Sequence, residues 1–78
     1  MSRSKIYPDI DKELEFQCGR FGIIKELNTI EDFASCIQLY VDAAVAMSKS
    51  EYPLAAVSQM KKIAALSVAC IERYTKQD

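Results

Sequence analysis

The twenty residues that follow Thr29, IEDFASCIQLYVDAAVAMSK, place apolar side chains on two stripes of a helix rather than one. Phe33, Ile37, Val41, Ala44 and Ser48 fall on the first stripe. Cys36, Leu39, Ala43 and Met47 fall on the second, and Ser35, Gln38 and Asp42 form a narrow polar strip between them. A surface helix needs one apolar stripe. Two stripes predict a helix with neighbours on two sides, running from about Ile30 to Lys49. Its start is chemically marked. Thr29-Ile30-Glu31-Asp32 reads as a capping box, with Thr29 accepting from backbone N–H groups and acidic residues in the first turn.

The rest of the chain reads as helix too. Residues 1–8, MSRSKIYP, are expected to be a loose arm, with a helix starting at Pro8–Asp9 and carrying Ile10, Leu14, Gln17, Cys18 and Phe21 on one side. QCGRFG holds Gly19 and Gly22, the only two glycines, and predicts the end of that helix and a tight bend. Ser50 and Pro53 break the second helix and open a third, from Tyr52 or Pro53 to Thr75. Val57, Met60, Ala64, Val68, Ile71 and Thr75 line one side of it, and Ala56, Ile63, Leu66 and Cys70 line another. No period-two run or Asn-Gly hairpin competes. The expectation is an all-α fold: a single domain over residues 9–78, three helices, the last two an antiparallel hairpin.

Half of the 78 residues are hydrophobic, more than a chain this short easily hides. Something must make up the difference. Three cysteines, Cys18, Cys36 and Cys70, are an odd number at wide spacing, which speaks against a disulfide framework. With no His and no Cys-x-x-Cys, zinc is not expected. No cofactor is expected, and no apolar run is read as long enough to span a bilayer. A homo-oligomer, a dimer or tetramer or larger, is the remaining solution, its surplus faces building a four-helix type of core. The polar start Met-Ser-Arg-Ser-Lys, without an apolar region behind it, predicts a cytoplasmic protein with reduced thiols. A net charge of −1 argues against a duplex-nucleic-acid binder.

Three segments resemble, in order, the small phage-type members of the MazG-like nucleotide pyrophosphohydrolase superfamily. Glu15-Phe16-Gln17-Cys18-Gly19-Arg20-Phe21-Gly22 is similar to the family opening E-x-Q-x-x-K-W-G. Phe33 to Ala44 stands where the family has W-x-x-x-x-x-E-E-x-x-E, and Gln59 to Glu72 is similar to its Ala-rich third helix. The likeness covers roughly residues 13–74. It implies magnesium-assisted hydrolysis of nucleoside triphosphates, with carboxylates holding the metal. Those carboxylates are missing. Their positions fall on Leu39, Tyr40, Ala43, Gln59 and Lys62, and Asp42 aligns with a spacer. The resemblance therefore implies a scaffold without catalytic or metal-binding residues.

Three functions remain open at this point. The first is a non-catalytic binder of a nucleotide, cyclic nucleotide or other phosphate-bearing small molecule. For a phage-like protein in a host cytoplasm this means sequestration of a nucleotide signal. Lys62 would supply fixed positive charge where the family has a metal-side group. Lys61 and Arg20 would assist on phosphate, Phe21 and Tyr40 would stack, and Gln59 would read a base edge. Each has a plainer role: surface lysines, a core Phe21, a half-buried Tyr40, a solvated Gln59. The second function is a protein–protein interaction module that modulates a host protein through the apolar Leu39–Ala43–Met47 stripe. The third is a residual hydrolase using Glu13, Glu15, Asp42 or Glu72. The cysteines are expected to be small buried hydrophobes, and Glu13 and Glu15 a solvated face.

Overall fold

A computed structural model describes residues 2–19 and 22–75. They form α1 (Arg3–Cys18), α2 (Ile30–Ser48) and α3 (Ala56–Thr75), with short 3-10 turns at Ile23–Glu26 and Pro53–Ala55. No strand occurs among the described residues. The all-α, three-helix expectation holds.

The boundaries of α2 follow local chemistry. Thr29 Oγ1 accepts the Asp32 N–H at 3.0 Å, and Asp32 Oδ2 accepts the N–H groups of Asn28 (2.9 Å) and Thr29 (3.1 Å). The capping box is complete and satisfies amides that the helix leaves unpaired. At the other end the Ser50 hydroxyl donates to the Met47 carbonyl at 2.6 Å and accepts the Tyr52 N–H at 3.1 Å, turning the chain back. Pro53 then opens a 3-10 turn, and α-helical geometry resumes only at Ala56.

α1 corrects the expected arm and helix start. Residues 3–8 are already helical, and Pro8 lies inside the helix rather than at its first turn. The Ser2 carbonyl accepts from Lys5 (3.0 Å) and Ile6 (3.3 Å). Ile6 is half-buried on the side turned to α3, where it lines a groove with Val57 and Met60. The helix carries Pro8 in its interior at the loss of one backbone bond, on a side where the proline is exposed. At the far end the Gly22 N–H bonds the Gly19 carbonyl at 3.0 Å, the tight bend expected there.

α3 is the central element. It packs against α2 as an antiparallel hairpin and against α1, while α1 and α2 scarcely touch among the described residues. Asp9 pairs with Lys61 and Glu13 with Lys62, so α1 runs in the same direction as α3. The core lies where the Ile23–Glu26 turn closes over α2 and α3. It consists of Ile24, Leu27, Phe33, Cys36, Leu66 and Ala69, flanked by Leu14, Ile37, Tyr40 and Cys70. Phe33 and Leu66 are its largest fully buried side chains. The Arg73 guanidinium sits 5.0 Å from the centroid of the Phe33 ring and donates to the carbonyls of Leu27 and Ile24. The Tyr74 hydroxyl donates to the Asn28 carbonyl at 3.0 Å. These bonds hold the α1–α2 connection against the end of α3 and satisfy its otherwise loose carbonyls.

The outward faces of the two hairpin helices differ. On α2, Ser35, Gln38 and Asp42 are exposed, and Gln38 Nε2 donates to Asp42 at 2.9 Å, an i,i+4 pair. On α3 the outward residues are Val57 (50% exposed), Met60 (56%), Val68 (38%) and Ile71 (60%), around half-buried Ala64. The buried face is made instead by Ala65, Leu66 and Ala69, the two alanines small enough for close helix approach. α3 is thus apolar on the side that meets solvent.

Candidate functional site

Lys61 and Lys62 lie about 100° apart around α3, yet both reach α1. Lys61 Nζ is 3.1 Å from Asp9 Oδ2, and Lys62 Nζ is 2.7 Å from Glu13 Oε1. α1 straddles the boundary between the two positions, so each lysine finds a carboxylate one turn apart on the inward side of that helix. Their side chains are 37% and 29% exposed. The local charge is neutralised inside the chain. This corrects two expectations: Lys61 is not a free surface lysine, and Glu13 is not a solvated acid, although Glu15 is exposed.

Gln17 is the only buried polar residue of the described chain, 3% exposed at the α1–α3 junction. Its Nε2 reaches the Lys62 carbonyl at 3.5 Å, and its Oε1 has no partner among the described residues. The sequence marked Gln17 as part of a motif and placed it on the side of α1 that carries Ile10 and Leu14, the side on which it is buried. Gln59, half-buried, stands one turn before Lys62 on the same side of α3. Tyr40 is half-buried on α2 and packs on the core cluster. Arg20 and Phe21 lie outside the described residues. The structure therefore brings Lys61 and Lys62 to α1, leaves Gln59 half-buried away from Lys61, and accounts for Tyr40 by packing.

Of the Leu39–Ala43–Met47 stripe, Ala43 and Met47 are half-buried, but Leu39 is 69% exposed. The second side of α2 therefore has no close neighbour at Leu39 among the described residues. No group of three or more His, Cys, Asp or Glu side chains that could hold a metal occurs among the described residues. All three cysteines are free, and their environments differ: Cys36 is buried, Cys70 half-buried and Cys18 exposed. The expectation that all three are buried is corrected at Cys18, which falls on the outer side of the last turn of α1.

Burial pushes the Cys36 thiol above its ordinary value of 9.0, because desolvation disfavours the thiolate. Iodoacetamide at mildly alkaline pH is expected to label Cys18 first and Cys36 last, read by peptide mass spectrometry. The sign for stability follows. The native state keeps the Cys36 proton after the unfolded chain has lost it, so stability falls as pH rises past 9.0. A Cys36 that labels as fast as Cys18 would contradict its burial.

Two apolar grooves flank the outward strip of α3. One, of about 420 Å³, lies on the α1 side and is lined by Ile6, Ile10, Val57, Met60 and the stem of Lys61. The other, of about 230 Å³, lies on the α2 side and includes Ile30, Phe33, Ile37, Cys70 and Ile71. Neither contains Lys62, Gln59 or Tyr40. Pro53–Thr75 is also long and apolar enough to cross a membrane by length and composition alone, contrary to the expectation from the sequence, with Lys61 and Lys62 of that segment held by α1. No family model matches the chain, nor does any curated protein or solved structure.

Proposed function

We propose that this chain is a non-catalytic interaction module: a small helical scaffold that works by offering the outward face of α3, with its two flanking grooves, to another polypeptide. The observation that carries this reading is the apolar strip Val57–Met60–Ala64–Val68–Ile71 on the side of the helix opposite the core. Exposed apolar surface of this continuity marks interaction sites. The resemblance to MazG-like proteins supports the same conclusion, since a scaffold without metal-binding carboxylates keeps its shape as its use.

A second reading, a binder of phosphate-bearing small molecules, is supported by one observation. Two sequence-adjacent lysines of α3, each about one-third exposed, pair with α1 carboxylates, and Gln17, which reaches the Lys62 carbonyl, keeps an acceptor without a partner among the described residues. A phosphate dianion would have to displace Asp9 and Glu13 from them.

Native mass spectrometry of gently purified protein tests both. The interaction module predicts a species heavier by a whole polypeptide, lost in Met60→Glu. The binder predicts an added mass of nucleotide size, lost in Lys62→Glu. A bare single chain would sink the first reading, and phosphate release from nucleotides with Mg²⁺ or Mn²⁺ would sink its non-catalytic character.

A further inference from the structure

We propose that the outward strip of α3 pairs with the same strip of a second copy of this chain, antiparallel, with a two-fold axis passing beside Ala64. The inference rests on the reading of α3 as a polypeptide-binding face and names the polypeptide.

The register of the strip carries the argument. Val57, Met60, Ala64, Val68 and Ile71 are spaced three, four, four and three residues apart. At 100° per residue they fall within an arc of about 80°. The spacing is the same read from either end, and its midpoint is Ala64. A two-fold interface requires a surface that matches its own reversal. Turned about Ala64, the strip brings Val57 level with the copy's Ile71, and Met60 level with the copy's Val68. Both pairs are apolar, with the smallest side chain at the axis, where two helices must come closest.

Charge and area agree. From Leu54 to Ile71 the only charged residues of α3 are Lys61 and Lys62. Both are held by α1 carboxylates, so no like charges meet across the axis. The outward face of α2 is mixed by contrast, with Ser35, Gln38 and Asp42 exposed between Leu39 and Val45. The exposed fractions of Val57, Met60, Val68 and Ile71 leave on the order of 400 Å² along the strip, within the range for the largest apolar patch on a soluble monomer, and Leu54 in the turn before α3 adds to it. Ile6 and Ile10 on one flank and Ile30 on the other extend it toward the roughly 800 Å² per partner of a standard interface.

Sedimentation velocity on the full chain is the test, with two variant sets. The unmodified protein is expected to be a dimer. Met60→Glu buries an unpaired charge and should raise the dimer dissociation constant at least about tenfold, while Ser35→Glu on the outward face of α2 should leave it unchanged. Mixing Met60→Glu with Val68→Lys should restore a dimer, because the two positions lie level across the axis. Should a charge unfold the chain, as circular dichroism would reveal, cysteine crosslinking stands alone. In a Cys18→Ser background, oxidised Ala64→Cys should link to itself, and Val57→Cys should link to Ile71→Cys rather than to itself. Self-linking of Val57→Cys would overturn the antiparallel arrangement. A monomer holding a different polypeptide on this strip would overturn self-pairing but keep the interaction reading. A monomer that co-sediments with phosphatidylcholine vesicles would overturn both in favour of a bilayer surface, and a bare monomer would overturn both outright.

Discussion

Phe33→Ala is expected to leave the chain largely unfolded under conditions where the unmodified protein shows a cooperative thermal transition. Phe33 is 1% exposed and is the largest side chain in the core. Truncating a buried phenylalanine costs about 3–5 kcal/mol, through lost transfer energy and the cavity left behind. A single core in a chain this short supplies about 3–5 kcal/mol in total, so the loss is comparable with the whole. The ring has a second role. It lies under the Arg73 guanidinium, which bonds the Leu27 and Ile24 carbonyls. Without the ring, Arg73 loses the surface that orients it, and the Ile23–Glu26 turn loses its tie to α3. Phe33→Leu keeps much of the volume and should retain a cooperative transition at a lower midpoint. If circular dichroism showed Phe33→Ala melting with the midpoint of the unmodified protein, the core would have to lie elsewhere.

Local chemistry was legible in the sequence, and tertiary choices were not. α2 was readable because Thr29, Asp32 and Ser50 mark its ends through bonds within a few residues of themselves. The start of α1 was not, because Pro8 looks like a first-turn residue and only the contact of Ile6 with the α3 side explains the earlier turns. α3 shows the limit of periodicity. Its apolar residues occupy more than one side, interrupted by Lys61 and Lys62, so a 3.6-residue period identifies stripes without saying which one is inside. The strip from Val57 to Ile71 looked like packing surface, but the core took Ala65, Leu66 and Ala69 instead. The two alanines let the neighbouring helices approach around Leu66, and the strip was left outside. The surplus of apolar surface was foreseeable from composition, and its location was not. The candidate polar site shows the same division. Lys61 and Lys62 could be picked out as a cationic pair, but their carboxylates come from α1, some fifty positions earlier, and nothing local announces them. Arg73 went unnoticed for the same reason, since its partners are backbone carbonyls.

Gly22→Ala should be as damaging as the loss of the core phenylalanine, and for a reason that backbone angles do not reveal. Gly22 has φ −80°, and Gly19 has φ −74°. Both values are open to any L-residue, so neither glycine is needed for a left-handed turn. Space separates them. A Cβ on Gly19 would lie 3.2 Å from the Phe16 carbonyl oxygen, a tight contact that a small shift relieves. Replacing Gly19 by alanine also removes freedom from the unfolded chain, worth about 0.4–1 kcal/mol in favour of folding, so Gly19→Ala should be close to neutral. A Cβ on Gly22 would overlap the backbone of Gln17 at its carbonyl. Main chain cannot rotate away as a side chain can. The bend would have to open, and with it the Gly22 to Gly19 hydrogen bond that closes it. Gln17 would be drawn from its buried position at the α1–α3 junction, next to the Lys62–Glu13 pair. A cost of roughly 3 kcal/mol or more is expected, at the upper end of what overpacking does. Chemical denaturation of the two alanine variants side by side checks it. A large loss at position 22 with little change at 19 places the constraint in the close approach of two backbone segments. Equal losses would mean that the bend depends on glycine flexibility at both positions.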